Sequence, residues 1–123
     1  MTDADRELLE RADAMSERAY APYSKFLVGA AVRTKDGRVF KGVNVENAAY
    51  PLGICAEKTA LAKAVSEGVK PGEVEALAVT ASPCGGCRQW LHEFRVERVI
   101  YRRANGDVAV ATPSELLPDT FEL

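Results

Sequence analysis

The sequence lacks the features that mark chains that span membranes or bind nucleic acids. No apolar run approaches the roughly 20 residues that a transmembrane helix needs. The net charge is −2, with 16 basic and 18 acidic residues, so there is no basic excess of the kind that phosphate backbones attract. The basic residues are scattered, and their densest pair is Arg102-Arg103. We therefore expect a globular protein with a small substrate and with neither a nucleic acid nor a membrane as partner.

Histidine and cysteine are also scarce. The only histidine is His92, and there are three cysteines. An odd number of cysteines and no visible signal peptide argue against a disulfide scaffold, and free thiols predict a reducing cytoplasm as the location. A chain of 123 residues with 47% hydrophobic residues can bury one core, so residues 1–123 are predicted to form a single domain.

Hydrophobic periodicity and turn signals predict elements in the order α-β-β-α-β-α-β-β-α. The predicted helices cover residues 3–19, 55–67 and 84–94, and a short last helix begins at Pro113 with Thr112 as its cap and Glu115 completing a capping box. The predicted strands cover residues 26–34, 39–43, 74–80, 98–101 and 108–111. This order predicts an α/β fold in which helices sandwich a mixed sheet, with the two cysteine-bearing helices side by side on one face.

One motif combines all three cysteines. It consists of Cys55-Ala56-Glu57 and, downstream, Pro83-Cys84-Gly85-Gly86-Cys87. Thiolates are soft ligands for zinc, and three protein ligands leave the fourth tetrahedral position open to water, which is typical of catalytic zinc. Glu57 is not needed as a ligand. The pattern is known from the zinc-dependent nucleobase deaminases.

Other interpretations of the cysteines explain less of the motif. A redox C-x-x-C pair would leave Cys55 and Glu57 without roles. A structural zinc finger needs a fourth ligand, and His92 lies past Cys87 inside a predicted helix. A Cys₃His finger in a non-catalytic, zinc-stabilised interaction module therefore stays open as an alternative.

Both parts of the motif are predicted to begin a helix. The partial positive charge of a helix N-terminus stabilises thiolates, and Lys58 and Arg88 are predicted to balance the remaining negative charge. Cys55 and Glu57 would point to opposite sides of a regular helix. They can therefore share a site only if Cys55 is a cap-like residue and the site lies beyond the helix end.

The predicted chemistry divides the work between zinc and Glu57. Zinc lowers the pKa of bound water, and the resulting hydroxide attacks the ring carbon that carries an exocyclic amine. Glu57 takes the water proton, delivers a proton to the ring nitrogen and later protonates the departing ammonia. The simpler alternative is a first-turn glutamate that only stabilises the helix dipole.

Several blocks of the sequence resemble the small, homotetrameric cytidine deaminases of pyrimidine salvage. In chain order these blocks are residues 21–26, 28–31, 42–50, 51–57, 82–89 and 115–118. The resemblance implies a three-layer α-β-α cytidine deaminase-like fold with a mixed five-stranded sheet. It implies one Zn²⁺ per subunit, a homotetramer with sites completed across subunits, and conversion of cytidine and 2′-deoxycytidine to uridine and 2′-deoxyuridine with release of ammonia.

The resemblance also implies substrate-binding residues. Asn44 and Glu46 would hydrogen-bond the ribose hydroxyls, Phe26 would stack on the pyrimidine, and the backbone N–H of Ala56 would bind the base carbonyl. Three further residues would reach into a neighbouring subunit's site: Ala48, Tyr50 and Phe121. The alternatives are ordinary loop polarity for Asn44 and Glu46, and core or interface packing for the others.

The chain also departs from the family pattern. Lys58 stands where many relatives carry an arginine, and lysine cannot form the planar fork of a guanidinium. The connection at residues 80–83 is shorter than in many relatives, and Trp90 is larger than the aliphatic residue expected there. A deaminase of a modified cytosine nucleoside, of the blasticidin S type, is the alternative activity, although Asn44, Glu46 and Phe26 favour plain nucleosides.

Overall fold

A mixed sheet forms the middle layer of the computed structural model, which describes residues 1–123. The five strands lie in the order β2-β1-β3-β4-β5. Their bounds are β1 Gly29–Thr34, β2 Val39–Val43, β3 Val74–Val79, β4 Arg98–Arg102 and β5 Val108–Ala111. Only β3 and β4 are parallel, and the other neighbouring pairs are antiparallel. The predicted mixed five-stranded sheet is confirmed.

Helices cover both faces of the sheet. Their bounds are α1 Asp3–Ser16, α2 Ala56–Ser66, α3 Gly85–Glu93 and α4 Pro113–Leu116, with a 3-10 helix at Tyr50–Leu52. Apolar residues of α2 and α3 share one buried cluster with the sheet, whereas α1 packs on the opposite face. The two cysteine-bearing helices therefore lie on the same face, as predicted. None of the helices is both long and apolar enough to cross a membrane.

The central strand β3 is almost continuously apolar because both of its faces are buried. Leu77 and Val79 belong to the core under α2 and α3, while Ala76 and Ala78 belong to the core under α1. Side chains alternate between the two faces of a strand, and both faces of this sheet are covered. The strand therefore needs large apolar residues on one side and small ones on the other.

Two glycines allow helix backbones to approach the sheet closely. A Cβ atom added to Gly29 would stand 2.0 Å from the carbonyl oxygen of Ala12 in α1. A Cβ atom added to Gly42 would stand 2.4 Å from the backbone nitrogen of Ala60 in α2. Any side chain at either position would push a helix away from its strand.

The N-terminal end of α1 is anchored by a buried ion cluster. Asp5 is only 1% exposed, and its carboxylate accepts hydrogen bonds from Arg33 at 2.7 Å and from Arg98 at 3.0 and 3.1 Å. Burial alone would raise the pKa of Asp5, but the hydrogen bonds from Arg98 and Arg33 outweigh it and hold the pKa well below its usual range.

The main departures from the predicted elements lie between α1 and β1. Helix α1 ends at Ser16 rather than at residue 19, and β1 begins at Gly29 rather than at residue 26. The residues between α1 and β1 do not extend either element. Among them, Tyr20 forms an isolated bridge with Val45. The predicted capping box is confirmed, because Thr112 and Glu115 exchange both capping hydrogen bonds at the start of α4.

Candidate metal and catalytic site

Three thiols meet where α2 and α3 begin. Cys55 is the N-cap residue of α2, Cys84 is the N-cap residue of α3, and Cys87 lies in the first turn of α3. All three Sγ atoms lie within 4.8 Å of one another, and those of Cys55 and Cys84 are 3.7 Å apart. The cap position expected of Cys55 is the one observed, and it brings Glu57 to the same site.

This donor set fits a zinc ion. Tetrahedral zinc with Zn–S bonds of about 2.3 Å holds its sulfurs roughly 3.8 Å apart, which agrees with the Cys55–Cys84 separation of 3.7 Å. His92 does not belong to this cluster. Its Nε2 lies 2.8 Å from Oε1 of Glu122 in the C-terminal tail. The arrangement therefore supplies three ligands and does not resemble a closed Cys₃His finger.

The side chains of Cys55 and Cys87 are joined by a hydrogen bond. A hydrogen bond with Cys87 lowers the pKa of Cys55 to about 6, although burial opposes the shift. The same hydrogen bond, together with burial, raises the pKa of Cys87. Without metal, Cys55 therefore loses its proton more easily than Cys87 does. Zinc binding would release the remaining thiol protons, since only deprotonated thiols bind zinc.

Glu57 is a buried carboxyl group beside the thiols. It lies in the first turn of α2, is only 3% exposed and contributes to the wall of a surface cavity. Burial raises the pKa of Glu57 to about 7, and the charge of Cys55 adds to the effect. A carboxyl group of this pKa can both accept and release a proton near neutral pH.

Lys58 lies beside the cysteine cluster. Its Nζ atom is 6.0 Å from the centroid of the Trp90 ring and 3.5 Å from the position that a Cβ on Gly86 would take. After hydrogen bonding with Cys87, the positive charge of Lys58 is a further cause of the lowered pKa of Cys55. The ammonium group therefore lies close to Gly86 in the first turn of α3.

Arg88 directs its guanidinium group toward the segments that flank the cysteines. Its Nε donates to the carbonyl oxygen of Pro83 at 2.8 Å, and its Nη1 donates to that of Leu116 at 2.8 Å. Its Nη2 donates to the hydroxyl of Ser82 at 3.3 Å. Arg88 thus fastens the loop before Cys84 to the end of α4, and the predicted balancing of thiolate charge stays a prediction for this residue.

A cavity of about 320 Å³ opens directly in front of Cys55, Cys84 and Glu57. Besides Cys55, Cys84 and Glu57, its wall includes five of the residues predicted to bind substrate: Phe26, Asn44, Glu46, Tyr50 and Ala56. As the first residue of α2, Ala56 has an N–H group without an acceptor inside the helix. The structure therefore brings together most of the predicted site.

Asn44 and Glu46 already hold a loop at the rim of this cavity. Asn44 Oδ1 accepts from the N–H of Val28 at 2.9 Å, and its Nδ2 donates to the carbonyl oxygen of Phe26 at 2.8 Å. Glu46 accepts from the N–H groups of Tyr23 and Ser24 at 3.0 and 3.1 Å and from the Ser24 hydroxyl. The hydrogen bonds from Ser24 lower the pKa of Glu46, so this carboxylate stays ionised.

The three residues predicted to act across subunits occupy different places. Tyr50 lines the cavity of its own chain. Ala48 is exposed in the turn before the 3-10 helix and is not part of the cavity wall. Phe121 is exposed in the C-terminal tail, where Gln89 Nε2 donates to its carbonyl oxygen at 3.1 Å.

The sequence analysis missed part of the cavity wall. The additional lining residues are Val28, Val45, Gly53, Ile54, Ala81 and Ser82. Val45 and Ile54 face each other in an isolated antiparallel bridge, which folds the segment before Cys55 over the cavity. All of them except Ala81 lie inside the sequence blocks that resemble the family, and that position was the only signal for them, because none carries a charged or metal-binding side chain.

A three-layer α-β-α fold with three convergent thiols and a buried glutamate at one cavity defines a zinc-dependent hydrolytic enzyme. The family model described as the cytidine and deoxycytidylate deaminase zinc-binding region matches residues 2–103. The chain belongs to this deaminase family, and zinc is the cofactor of the family's catalytic region.

Individual relatives match over almost the whole chain. A cytidine deaminase of Halalkalibacterium halodurans is 47% identical, over 95% of this chain and 94% of the relative. The crystal structure of a cytidine deaminase from Burkholderia pseudomallei superimposes with a TM-score of 0.89 and 48% identity, covering 98% of this chain and 100% of that one. A blasticidin-S deaminase of Bacillus cereus is 31% identical over 96% of this chain and 92% of its own length.

Proposed function

We propose that the protein deaminates cytidine and 2′-deoxycytidine by hydrolysis, giving uridine or 2′-deoxyuridine and ammonia. The observation that carries the proposal is the cavity itself, in which Cys55, Cys84 and Glu57 share one wall with Phe26 and Asn44. The relatives that match at 47% and 48% identity are cytidine deaminases, which supports the same substrate here. The single sheet supports one catalytic domain over residues 1–123.

Zinc held by the three cysteines would supply a water molecule activated for nucleophilic attack at neutral pH. Glu57 manages the protons. It accepts one proton from the attacking water and passes it to the ring nitrogen. It then accepts the proton of the hydroxyl group added at the ring carbon and passes it to the amine, which leaves as ammonia as the C–N bond breaks. Its burial and its pKa of about 7 suit a group that must be ionised in one step and protonated in the next.

The chain's other residues orient the nucleoside. The N–H of Ala56, free at the start of α2, binds the carbonyl oxygen of the base. Phe26 provides an aromatic face at the cavity rim, where it is 61% exposed and available for stacking. Asn44 and Glu46 hydrogen-bond the sugar hydroxyls with the capacity that their loop contacts leave free.

Charge favours a nucleoside over a nucleotide as substrate. The formally charged side chains that line the cavity, apart from the thiols, are Glu46 and Glu57, and both are acidic. A phosphate group would be repelled by Glu46 and would meet no lysine or arginine in the cavity wall. The neutral sugar of cytidine avoids this cost.

The proposal extends to assembly and location. Phe26, Tyr50 and Ile54 are large apolar residues of the cavity wall that are left exposed, which supports a homotetramer whose sites are completed by Ala48, Tyr50 and Phe121 of neighbouring subunits. All three cysteines are free thiols, and their use as zinc ligands supports a reducing compartment, the cytoplasm.

A spectrophotometric assay on cytidine, 2′-deoxycytidine, deoxycytidylate and blasticidin S, with zinc quantified in the same preparation, tests the proposal. We expect turnover of both nucleosides, weak turnover of deoxycytidylate, and one zinc per chain. Bound zinc without turnover would indicate a non-catalytic module. Preferential turnover of blasticidin S or of deoxycytidylate would reject the assigned substrate.

A further inference from the structure

Ser24 occupies a position between two residues of the cavity rim. Its hydroxyl donates to Oε2 of Glu46, because an ionised carboxylate can only accept. The same hydroxyl accepts from the backbone N–H of Phe26 at 3.0 Å. One side chain thus joins the acidic residue of the rim to the peptide that carries the aromatic residue.

The loop needs this support because its backbone is strained. Lys25, between Ser24 and Phe26, has a φ of 63°, in the left-handed region that residues with a side chain adopt rarely. On the far side of Phe26, its carbonyl oxygen accepts from Asn44 at 2.8 Å. The N–H of Phe26 is therefore held by Ser24, and its carbonyl oxygen is held by Asn44.

We propose that Ser24 is a positioning residue that couples recognition of the sugar at Glu46 to the placement of Phe26 against the base. The proposal rests on the proposed function, which assigns the sugar to Glu46 and the base to Phe26. A hydroxyl with one donor and two acceptor positions can serve both partners at once. An alanine at position 24 would remove both hydrogen bonds, while the contacts of Glu46 Oε1 with the N–H groups of residues 23 and 24 would remain.

The first measurement is steady-state kinetics on cytidine with zinc-loaded Ser24→Ala. Losing two hydrogen bonds, one of them to a charged group, should raise KM about tenfold. The kcat should stay within about twofold, because stacking on Phe26 is equally strong in the ground and transition states. Ser24→Thr keeps the hydroxyl and should have a KM close to that of the wild type. Ser114→Ala, at an exposed serine of α4, is the matched control and should leave both constants unchanged.

A double-mutant cycle separates positioning from a general structural role. If Ser24 acts through Phe26, adding Ser24→Ala to Phe26→Ala should raise KM by clearly less than tenfold, because there is no ring left to position and only the hydrogen bond to Glu46 is still lost. An undiminished tenfold rise in that background would overturn the proposal. Phe26→Leu can replace Phe26→Ala where turnover becomes too slow to measure.

Amide hydrogen exchange provides a readout that does not depend on turnover. In zinc-loaded Ser24→Ala, the amide of Phe26 should exchange at least tenfold faster than in the wild type, while amides of β3 should not change. Unchanged exchange at Phe26 would overturn the proposal even if KM rises. A wild-type protein inactive on cytidine would reject the proposed function instead, and the exchange experiment would still decide whether Ser24 holds the loop.

Discussion

The Sγ atoms of Cys55 and Cys84 lie 3.7 Å apart, although 29 positions separate the two residues and each caps a different helix. The strand β3 and the loops around it connect the two helices. A zinc ion at this point therefore links two helix ends across the central strand. Because such binding requires the folded arrangement of the thiols, it also stabilises the fold.

We expect one zinc per chain, bound through the three cysteines. Cys55→Ser, Cys84→Ser or Cys87→Ser should each leave well below one zinc after dialysis, because two thiolates and a hydroxyl bind zinc weakly. Metal analysis by plasma emission measures this directly. His92→Ala is the control and should keep a full equivalent, since His92 pairs with Glu122. Zinc loss in that control would show that the histidine is a ligand.

Glu57→Gln should keep its zinc and its folded structure. Its rate of cytidine deamination should fall by a factor of at least roughly 10²–10⁴, because the amide cannot accept or deliver protons. Stopped assays with metal analysis and circular dichroism measure the three properties. Glu93→Gln, at an exposed glutamate at the end of α3, is a suitable control. Should Glu57→Gln keep a tenth of the wild-type rate, the glutamate would be only a helix-end residue.

Asp5→Asn should lower the free energy of unfolding by about 3–5 kcal/mol at pH 7, because it leaves Arg33 and Arg98 without their buried partner. The folded-state pKa of Asp5 lies below the unfolded value of about 3.9. The stabilisation is therefore fully present above that pH and is lost as the pH falls below it.

Urea denaturation between pH 3 and pH 7 measures this dependence, and the gap between wild type and Asp5→Asn should narrow on the acid side. Asp3→Asn removes an exposed pair with Arg6 and should cost less than about 1 kcal/mol. A gap between wild type and Asp5→Asn that is constant over the whole pH range would contradict the assigned ion cluster.

Phe121→Ala should reduce kcat/KM about tenfold to a hundredfold without loss of zinc, which corresponds to the ~1.5–3 kcal/mol of burying a phenylalanine ring against a neighbouring subunit. Leu123→Ala, in the same exposed tail, is the control. Mixing metal-free Cys55→Ala chains with Phe121→Ala chains should restore activity if Phe121 acts in trans. Absence of any recovery, or an active monomer in light scattering, would refute the shared site.

The metal half of the site could be predicted from the sequence because its geometry is local to two helix starts. The rule that a helix N-terminus stabilises thiolates, and the need for Cys55 and Glu57 to meet, were enough to require Cys55 as a cap residue. The observed cap positions of Cys55 and Cys84 agree with that requirement. The order of helices and strands along the chain could likewise be predicted, from hydrophobic periodicity and turn residues.

The resemblance named Phe26, Asn44 and Glu46 at the rim of the cavity, but the backbone conformation of the rim could not be predicted, because contacts distant in sequence shape it. Residues 26–28 have the apolar character of a strand, yet Asn44 takes the backbone groups of Phe26 and Val28 that a strand would have used. Arg88 was expected near thiolates, but two of its hydrogen bonds go to the carbonyl oxygens of Pro83 and Leu116. Such choices depend on tertiary distances that no local pattern encodes.

The close approach of α2 to the sheet at Gly42 determines which substitutions this part of the fold can tolerate. Helix α2 carries Glu57, and its distance from the sheet is set by backbone atoms in contact rather than by the size of core side chains. Drift among the aliphatic residues of this core can therefore proceed without displacing the proton-transferring carboxylate. In contrast, adding even one methyl group at position 42 would displace the whole of α2 and, with it, the carboxylate of Glu57.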